Sequence, residues 1–156
     1  MKIILSGIGG FMGAEVAKLA SAGYRDSSLA AGVDPNADGT YPVPVVPSFD
    51  RLQDIPEAEA ADCVIDFSHH SATGDLTEYA VKTGKPLIIA TTGQTEEELK
   101  MIREASEKIP VFFAANYSLG VALLIELAKK TAAMMPDAEI EIVEMHHDRK
   151  LDAPSG

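Results

Sequence analysis

The sequence predicts an α/β domain built on a doubly wound parallel sheet, followed by the opening of a second, α+β domain. Three observations carry that expectation. Short apolar runs at residues 2–6, 29–33, 63–67, 87–90 and 111–114 are bounded by turn residues, and each reads as a strand. Between them, residues 12–22, 71–83 and 95–109 repeat apolar side chains at helical spacing. Strands that are apolar almost throughout and alternate with helices need cover on both faces, which a parallel sheet provides. The pattern then changes after Asn116, placing one domain at 1–116 and the start of another at 117–156.

Each element follows from local chemistry. The first strand runs into a glycine-rich turn that opens the first helix. The segment 35–56 carries five prolines and is expected to be an extended loop with little regular structure. Thr95, three residues before Glu98, has the spacing of a capping box and marks the start of the third helix. Residues 118–134 form a long helical stretch with Val121, Leu124, Ile125 and Ala128 on one face, ended by Pro136. Residues 140–147 read as a strand whose two faces are both mixed, the mark of a polar site at a strand end. Pro154-Ser155-Gly156 looks like the start of a helix with nothing behind it, so the chain reads as a fragment.

Composition narrows the function classes. The chain has 156 residues and a formal net charge of −11, and a chain this acidic is a poor partner for nucleic acid. Twelve uncharged residues follow Lys2, but four are glycine, and no run reaches the roughly 20 apolar residues of a membrane span. The single Cys63 lies in an apolar run and reads as core, consistent with a cytoplasmic protein.

Gly7-Ile8-Gly9-Gly10-Phe11-Met12-Gly13 follows the first strand and opens the first helix. In a βαβ unit such a loop lets backbone N–H groups approach a pyrophosphate at the helix N-terminus. Glycines at 7, 10 and 13 make a GxxGxxG variant of the usual spacing, which alone is also compatible with a plain tight turn. Asp34 ends the second strand 21 residues after Gly13, where a carboxylate accepts hydrogen bonds from the adenosine ribose of a dinucleotide. Strand, glycine loop, helix, strand and acid together favour a Rossmann-like dinucleotide site. Ala90-Thr91-Thr92-Gly93 and Ala114-Ala115-Asn116-Tyr117 follow later strands, where ligands lie in open parallel sheets, although two ordinary turns would look the same.

The densest cluster runs from Glu144 to Gly156 and puts His146, His147, Arg149 and Lys150 within five residues. Adjacent histidines on a strand point to opposite faces, so a metal site is not expected. A solvated polar turn and an anion site with proton donors remain the two readings. Lys150 offers a point charge, the histidines can shuttle protons near neutral pH, and Ser155-Gly156 offer N–H groups. His69-His70 is expected to be an exposed cap region.

These motifs, with Asp66-Phe67-Ser68, together resemble the 4-hydroxy-tetrahydrodipicolinate reductase family, long called dihydrodipicolinate reductase, of the diaminopimelate route to lysine. The resemblance runs in order along the whole chain. It implies an NAD(P)H-dependent reduction of a cyclic imine diacid, formed by loss of water, to tetrahydrodipicolinate. It further implies that residues 7–13 hold the pyrophosphate, that Asp34 holds the ribose, and that Ala90, Thr91, Thr92 and Ala114, Ala115, Asn116, Tyr117 line the nicotinamide side. His146 would be the acid/base histidine and Lys150 the proton donor, with His147, Ser155 and Gly156 at the substrate carboxylates. A homotetramer is implied for the complete protein. Members continue with a threonine after the position of Gly156, and usually carry Arg where this chain has Phe11. With Asp34 in place and no cation beside it, NADH is expected to be preferred over NADPH. A different nicotinamide-dependent dehydrogenase of a small acid, or a non-catalytic dinucleotide-binding fragment, are the alternatives.

Overall fold

The computed structural model describes residues 1–143 and 145. The chain divides into two compact units, the first Met1–Phe113 and the second beginning at Ala114.

The first unit is a six-stranded, wholly parallel sheet. In chain order come β1 (Lys2–Ser6), α1 (Phe11–Ser21), β2 (Ser28–Val33), β3 (Val45–Val46), a short α2 (Pro56–Glu59), β4 (Cys63–Asp66), α3 (Thr73–Thr83), β5 (Leu87–Ile89), α4 (Glu96–Ser106) and β6 (Val111–Phe113). The spatial order is β3-β2-β1-β4-β5-β6. The order reverses between β1 and β4, so β1 sits at the switch point where open α/β sheets bind ligands. It pairs with β2 from Lys2 against Ser28, with a one-residue shift between Ile3 and Ile4, and with β4 from Ile3 against Cys63. Ile4, Leu5 and Val64 are wholly buried, and each such side chain contributes roughly 1.5–3 kcal/mol on leaving water. Cys63 lies in this core, and burial pushes its thiol pKa up.

The helix N-termini differ in how they are capped. Thr95 caps α4 as expected: its Oγ1 accepts from Glu98 N at 3.2 Å, and Glu98 Oε2 accepts from Thr95 N at 2.7 Å. Glu96, Glu97 and Glu98 crowd the first turn of that helix. Helix α1 begins after Gly10, with no side-chain cap and no acid in its first turn.

Two expectations need correction. Residues 35–56 are not merely extended loop: they hold β3, and a 3-10 turn at Phe49–Asp54 buries Phe49 and Leu52, with Ile55 buried just after it. Burial of these three side chains at spacing three overrides the local effect of the prolines. In the second unit, α5 (Leu119–Met134) is capped by Ser118, whose Oγ accepts from Val121 N at 3.3 Å. The expected strand 140–147 is not formed where it can be described, since residues 140–143 and 145 are irregular. Residues 144, 146 and 147 lie outside the described residues. Among the described residues no helix is long and apolar enough to cross a membrane.

Candidate dinucleotide site

The site is built at the carboxyl edge of the sheet, from the turns that leave β1, β2, β4 and β5. Gly7 leaves β1 at φ +75°, and its N–H donates to Val33 O at 2.8 Å, tying the turn to the end of β2. A Cβ at Gly7 would meet the Phe67 carbonyl carbon at 2.6 Å and Ser68 Cα at 2.8 Å, so both conformation and space require glycine. Gly10 N donates back to Gly7 O at 3.0 Å and closes the turn. Gly13, one turn into α1, lies so close to the Gly7 carbonyl that a Cβ there would overlap it. Ile8 is 1% exposed and packs over Gly32, so the loop is anchored by this side chain and can offer only its backbone to a ligand. Phe11 is 84% exposed and Met12 is also exposed, both on the first turn of α1. The amides of that turn have no intrahelical acceptor, which is the condition for binding an anion.

Asp34 is fixed over this loop. Its Oδ2 accepts from Gly9 N and its Oδ1 from Asn36 N, both at 2.9 Å. A Cβ at Gly9 would lie 2.9 Å from Asp34 Oδ2 and 3.0 Å from the Tyr41 hydroxyl, so glycine at 9 is what lets the carboxylate and the phenol close in. Each carboxylate oxygen keeps further lone pairs for a ribose hydroxyl. Tyr41 escaped the sequence reading because it lies in the proline-rich segment, where nothing in the local pattern marks it.

On the other side of β1, Asp66 organises the next two turns. It is 2% exposed and accepts from Ser68 Oγ at 2.5 Å and Thr91 Oγ1 at 2.6 Å. Ala90 N donates to Asp66 O at 3.0 Å. Thr91 therefore spends its hydroxyl proton on Asp66. Thr92 follows it, and Gly93 turns the chain at φ +88°. His69 caps the turn after β4, its Nδ1 accepting from Ser71 N at 3.3 Å, as a cap region should. His70 does more than expected: its Nδ1 lies 3.0 and 3.1 Å from the two oxygens of Glu98. The Glu98 carboxyl is held below the usual carboxylate range, first by the Thr95 backbone N–H and then by His70.

Gly7, Ile8, Gly9, Gly10, Phe11, Met12, Gly13 and Asp34 thus come together around one loop, and Ala90, Thr91 and Thr92 line the same sheet edge. Ala114, Ala115, Asn116 and Tyr117 open the second unit, where Asn116 Oδ1 accepts from Ser118 N at 2.7 Å. His146, His147, Lys150, Ser155 and Gly156 lie outside the described residues. A cleft of about 520 Å³ lined by Phe49, Leu52, Tyr79 and Lys85 shares no residue with the carboxyl-edge cluster. Its Lys85 ammonium donates to Glu59 O at 2.8 Å and Ala61 O at 2.7 Å, which is a structural use.

Comparison with known proteins fits this geometry. The family model for the dihydrodipicolinate reductase N-terminus matches residues 1–117, and that for the C-terminus matches residues 120–156. The chain belongs to the dihydrodipicolinate reductase family. A 4-hydroxy-tetrahydrodipicolinate reductase from Caldanaerobacter subterraneus subsp. tengcongensis is 46% identical over all of this chain and 59% of its own length. One from Clostridium perfringens is 40% identical over all of this chain and 60% of its own. The chain therefore spans about three fifths of the length of these curated relatives. A dipicolinate-bound dihydrodipicolinate reductase from Paenisporosarcina sp. TG-14 superposes with a TM-score of 0.76 at 30% identity, covering all of this chain and 62% of that one. The WlbA dehydrogenase of Thermus thermophilus, at 17% identity and a TM-score of 0.57 over 83% of this chain and 47% of that one, shares the fold alone.

Proposed function

We propose that residues 1–116 bind NADH in preference to NADPH and that residues 117–156 open the substrate-binding and oligomerisation domain of a 4-hydroxy-tetrahydrodipicolinate reductase. In this reading the enzyme reduces the dehydrated form of 4-hydroxy-tetrahydrodipicolinate to tetrahydrodipicolinate as a cytoplasmic homotetramer. The observation that carries the cofactor half is the closed set of Gly7, Gly9, Gly13 and Asp34. At Gly7 and Gly13 a Cβ would run into backbone, at Gly9 it would press on the Asp34 carboxylate, and that acid is held over the loop by the Gly9 amide. Such a cradle fits a dinucleotide: loop and first-turn amides hold the pyrophosphate, and Asp34 holds the ribose. The same acid would repel a 2′-phosphate, and Phe11 brings no cation to offset it.

Bound NADH supplies the hydride. The rest of the work falls to side chains of this chain. Ala90, Thr91, Thr92 and Ala114, Ala115, Asn116, Tyr117 bound the nicotinamide side. Reduction of the imine leaves an electron-rich, nitrogen-conjugated species that must take up a proton, which Lys150 donates, with His146 as acid/base partner. His147, Ser155 and Gly156 hold the carboxylates of a small dicarboxylate substrate. The dipicolinate bound by the Paenisporosarcina relative supports that substrate class. The test is substrate-dependent NADH oxidation by the complete protein. Lys150→Ala and His146→Ala should each lower kcat by roughly 10²–10⁴-fold with NADH affinity unchanged. Loss of NADH binding with turnover intact would overturn the division of labour.

A further inference from the structure

The turn at residues 91–93 is anchored at both ends, and the second anchor has no counterpart in the chemistry above. At its base, Thr91 Oγ1 and Ala90 N bond Asp66. Within it, Gln94 Nε2 donates to Thr91 O at 2.9 Å. At its exit, Glu98 reaches out of α4 to His70, which comes from the turn after β4, 28 residues earlier. The His70 ring also backs the turn itself, since a Cβ on Gly93 would lie 3.7 Å from His70 Cδ2. A carboxylate only accepts, so His70 donates through Nδ1 whether its ring is neutral or charged.

Helix α4 does not need this second contact. Its cap is complete with the reciprocal Thr95 and Glu98 bonds. The Glu98 side chain is nevertheless only 16% exposed and His70 32%, so the pair is sheltered enough to hold a fixed geometry. What the pair adds is a cross-link from the turn after β4 to the first turn of α4, across the end of the 91–93 turn.

We infer that His70 and Glu98 are positioning residues, a latch that fixes the 91–93 turn against the nicotinamide end of a bound dinucleotide. The inference rests on the reading of that turn as the nicotinamide side. Neither side chain touches the ligand. Each acts through the turn it holds.

The test compares two probes on the 156-residue chain: NADH, and ADP-ribose, which shares every group of NADH except the nicotinamide. His70→Ala removes the cross-link and leaves the α4 cap intact. It should weaken NADH binding by on the order of fivefold or more, with ADP-ribose binding unchanged. Glu98→Gln keeps an acceptor for Thr95 N and should show the same split in part. The double variant should be no weaker than His70→Ala alone, because both changes cut one link. His70→Asn, whose amide can donate from a similar place, should restore NADH binding. If His70→Ala leaves both affinities unchanged, or lowers both equally, the latch is refuted while the dinucleotide reading stands. If the unsubstituted chain binds ADP-ribose but not NADH, the nicotinamide assignment of the turn fails, and the latch with it. If it binds neither, the dinucleotide reading itself fails.

Discussion

Replacing Gly13 by alanine should injure this protein, although the same change in an ordinary helix helps. A Cβ at Gly13 would overlap the Gly7 carbonyl oxygen and stand 2.8 Å from the Gly7 carbonyl carbon and 3.0 Å from Ile8 Cα. To reach the 3.4 Å of ordinary contact, that carbon must retreat by about 0.6 Å, and its oxygen by more. The obstacle is backbone, so no rotamer change relieves it. Over-packing of this kind costs roughly 1–3 kcal/mol. Straining the bond from Gly10 N to Gly7 O adds about 1 kcal/mol, and the usual helical gain of alanine over glycine offsets roughly 0.5–1 kcal/mol. The net loss is about 2 kcal/mol, or a fall in Tm of roughly 5–10 °C for a unit of this size. The chain has no Trp, so unfolding is best followed by circular dichroism. Gly74→Ala on α3 is the control, because its Cβ would meet only Met101 Sδ at an ordinary 3.8 Å, and it should be neutral or stabilising. NADH binding by Gly13→Ala should weaken by about tenfold or more, which corresponds to about 1.4 kcal/mol. A Gly13→Ala protein as stable as the unsubstituted chain would refute the claim that helix and loop touch here.

Two further outcomes follow from charge. Asp34→Asn should weaken NADH by about tenfold and narrow any gap between NADH and NADPH, because in the proposed site it would replace one of the two acceptor oxygens by a donor and remove the charge that would repel a 2′-phosphate. Titrating both cofactors checks this, and unsubstituted protein that binds NADPH ten times more tightly than NADH would contradict it. Glu98 ionises more readily folded than unfolded, so its stabilising contribution is present above the ordinary carboxylate range. That contribution is lost as pH falls through the lowered folded value. Urea unfolding of Glu98→Gln and the unsubstituted chain should therefore converge between about pH 6 and pH 3. A difference that stays constant over that range would mean the carboxylate charge is not what Glu98 contributes.

Local pattern made some of this structure legible and left other parts hidden. The glycines and Asp34 could be read because their spacing is local and the chemistry of a strand-to-helix turn restricts it. The cap of α4 was legible for the same reason: Thr95 and Glu98 are one helical turn apart. The bond from Thr91 to Asp66, the place of Tyr41 and the His70 link to Glu98 were not, since each depends on a partner 25 or more residues away along the chain or on a turn brought in by the sheet. The 3-10 turn at Phe49–Asp54 was hidden differently. Prolines at 42, 44 and 47 signal irregularity truthfully, but they say nothing of the three apolar side chains beyond them that find the core.

The unequal helix ends bear on where along this edge the proposed diphosphate would be received. Three strands of one sheet start three helices at its carboxyl edge, and each begins with the positive pole of its peptide dipoles. In α4 that pole is already answered by Glu96, Glu97 and Glu98, and in α3 by Asp75. Each such acid near a helix start is worth roughly 0.3–1 kcal/mol, the same attraction a visiting phosphate would claim. Only in α1, of these three, is the first turn without a carboxylate. On a chain carrying a net charge of −11, a diphosphate would be repelled at long range and would meet, among these three helix starts, one whose first turn holds no acid. Selection among repeated βα units is in this sense encoded by omission. An acid introduced at position 12 would close the berth without altering a single glycine.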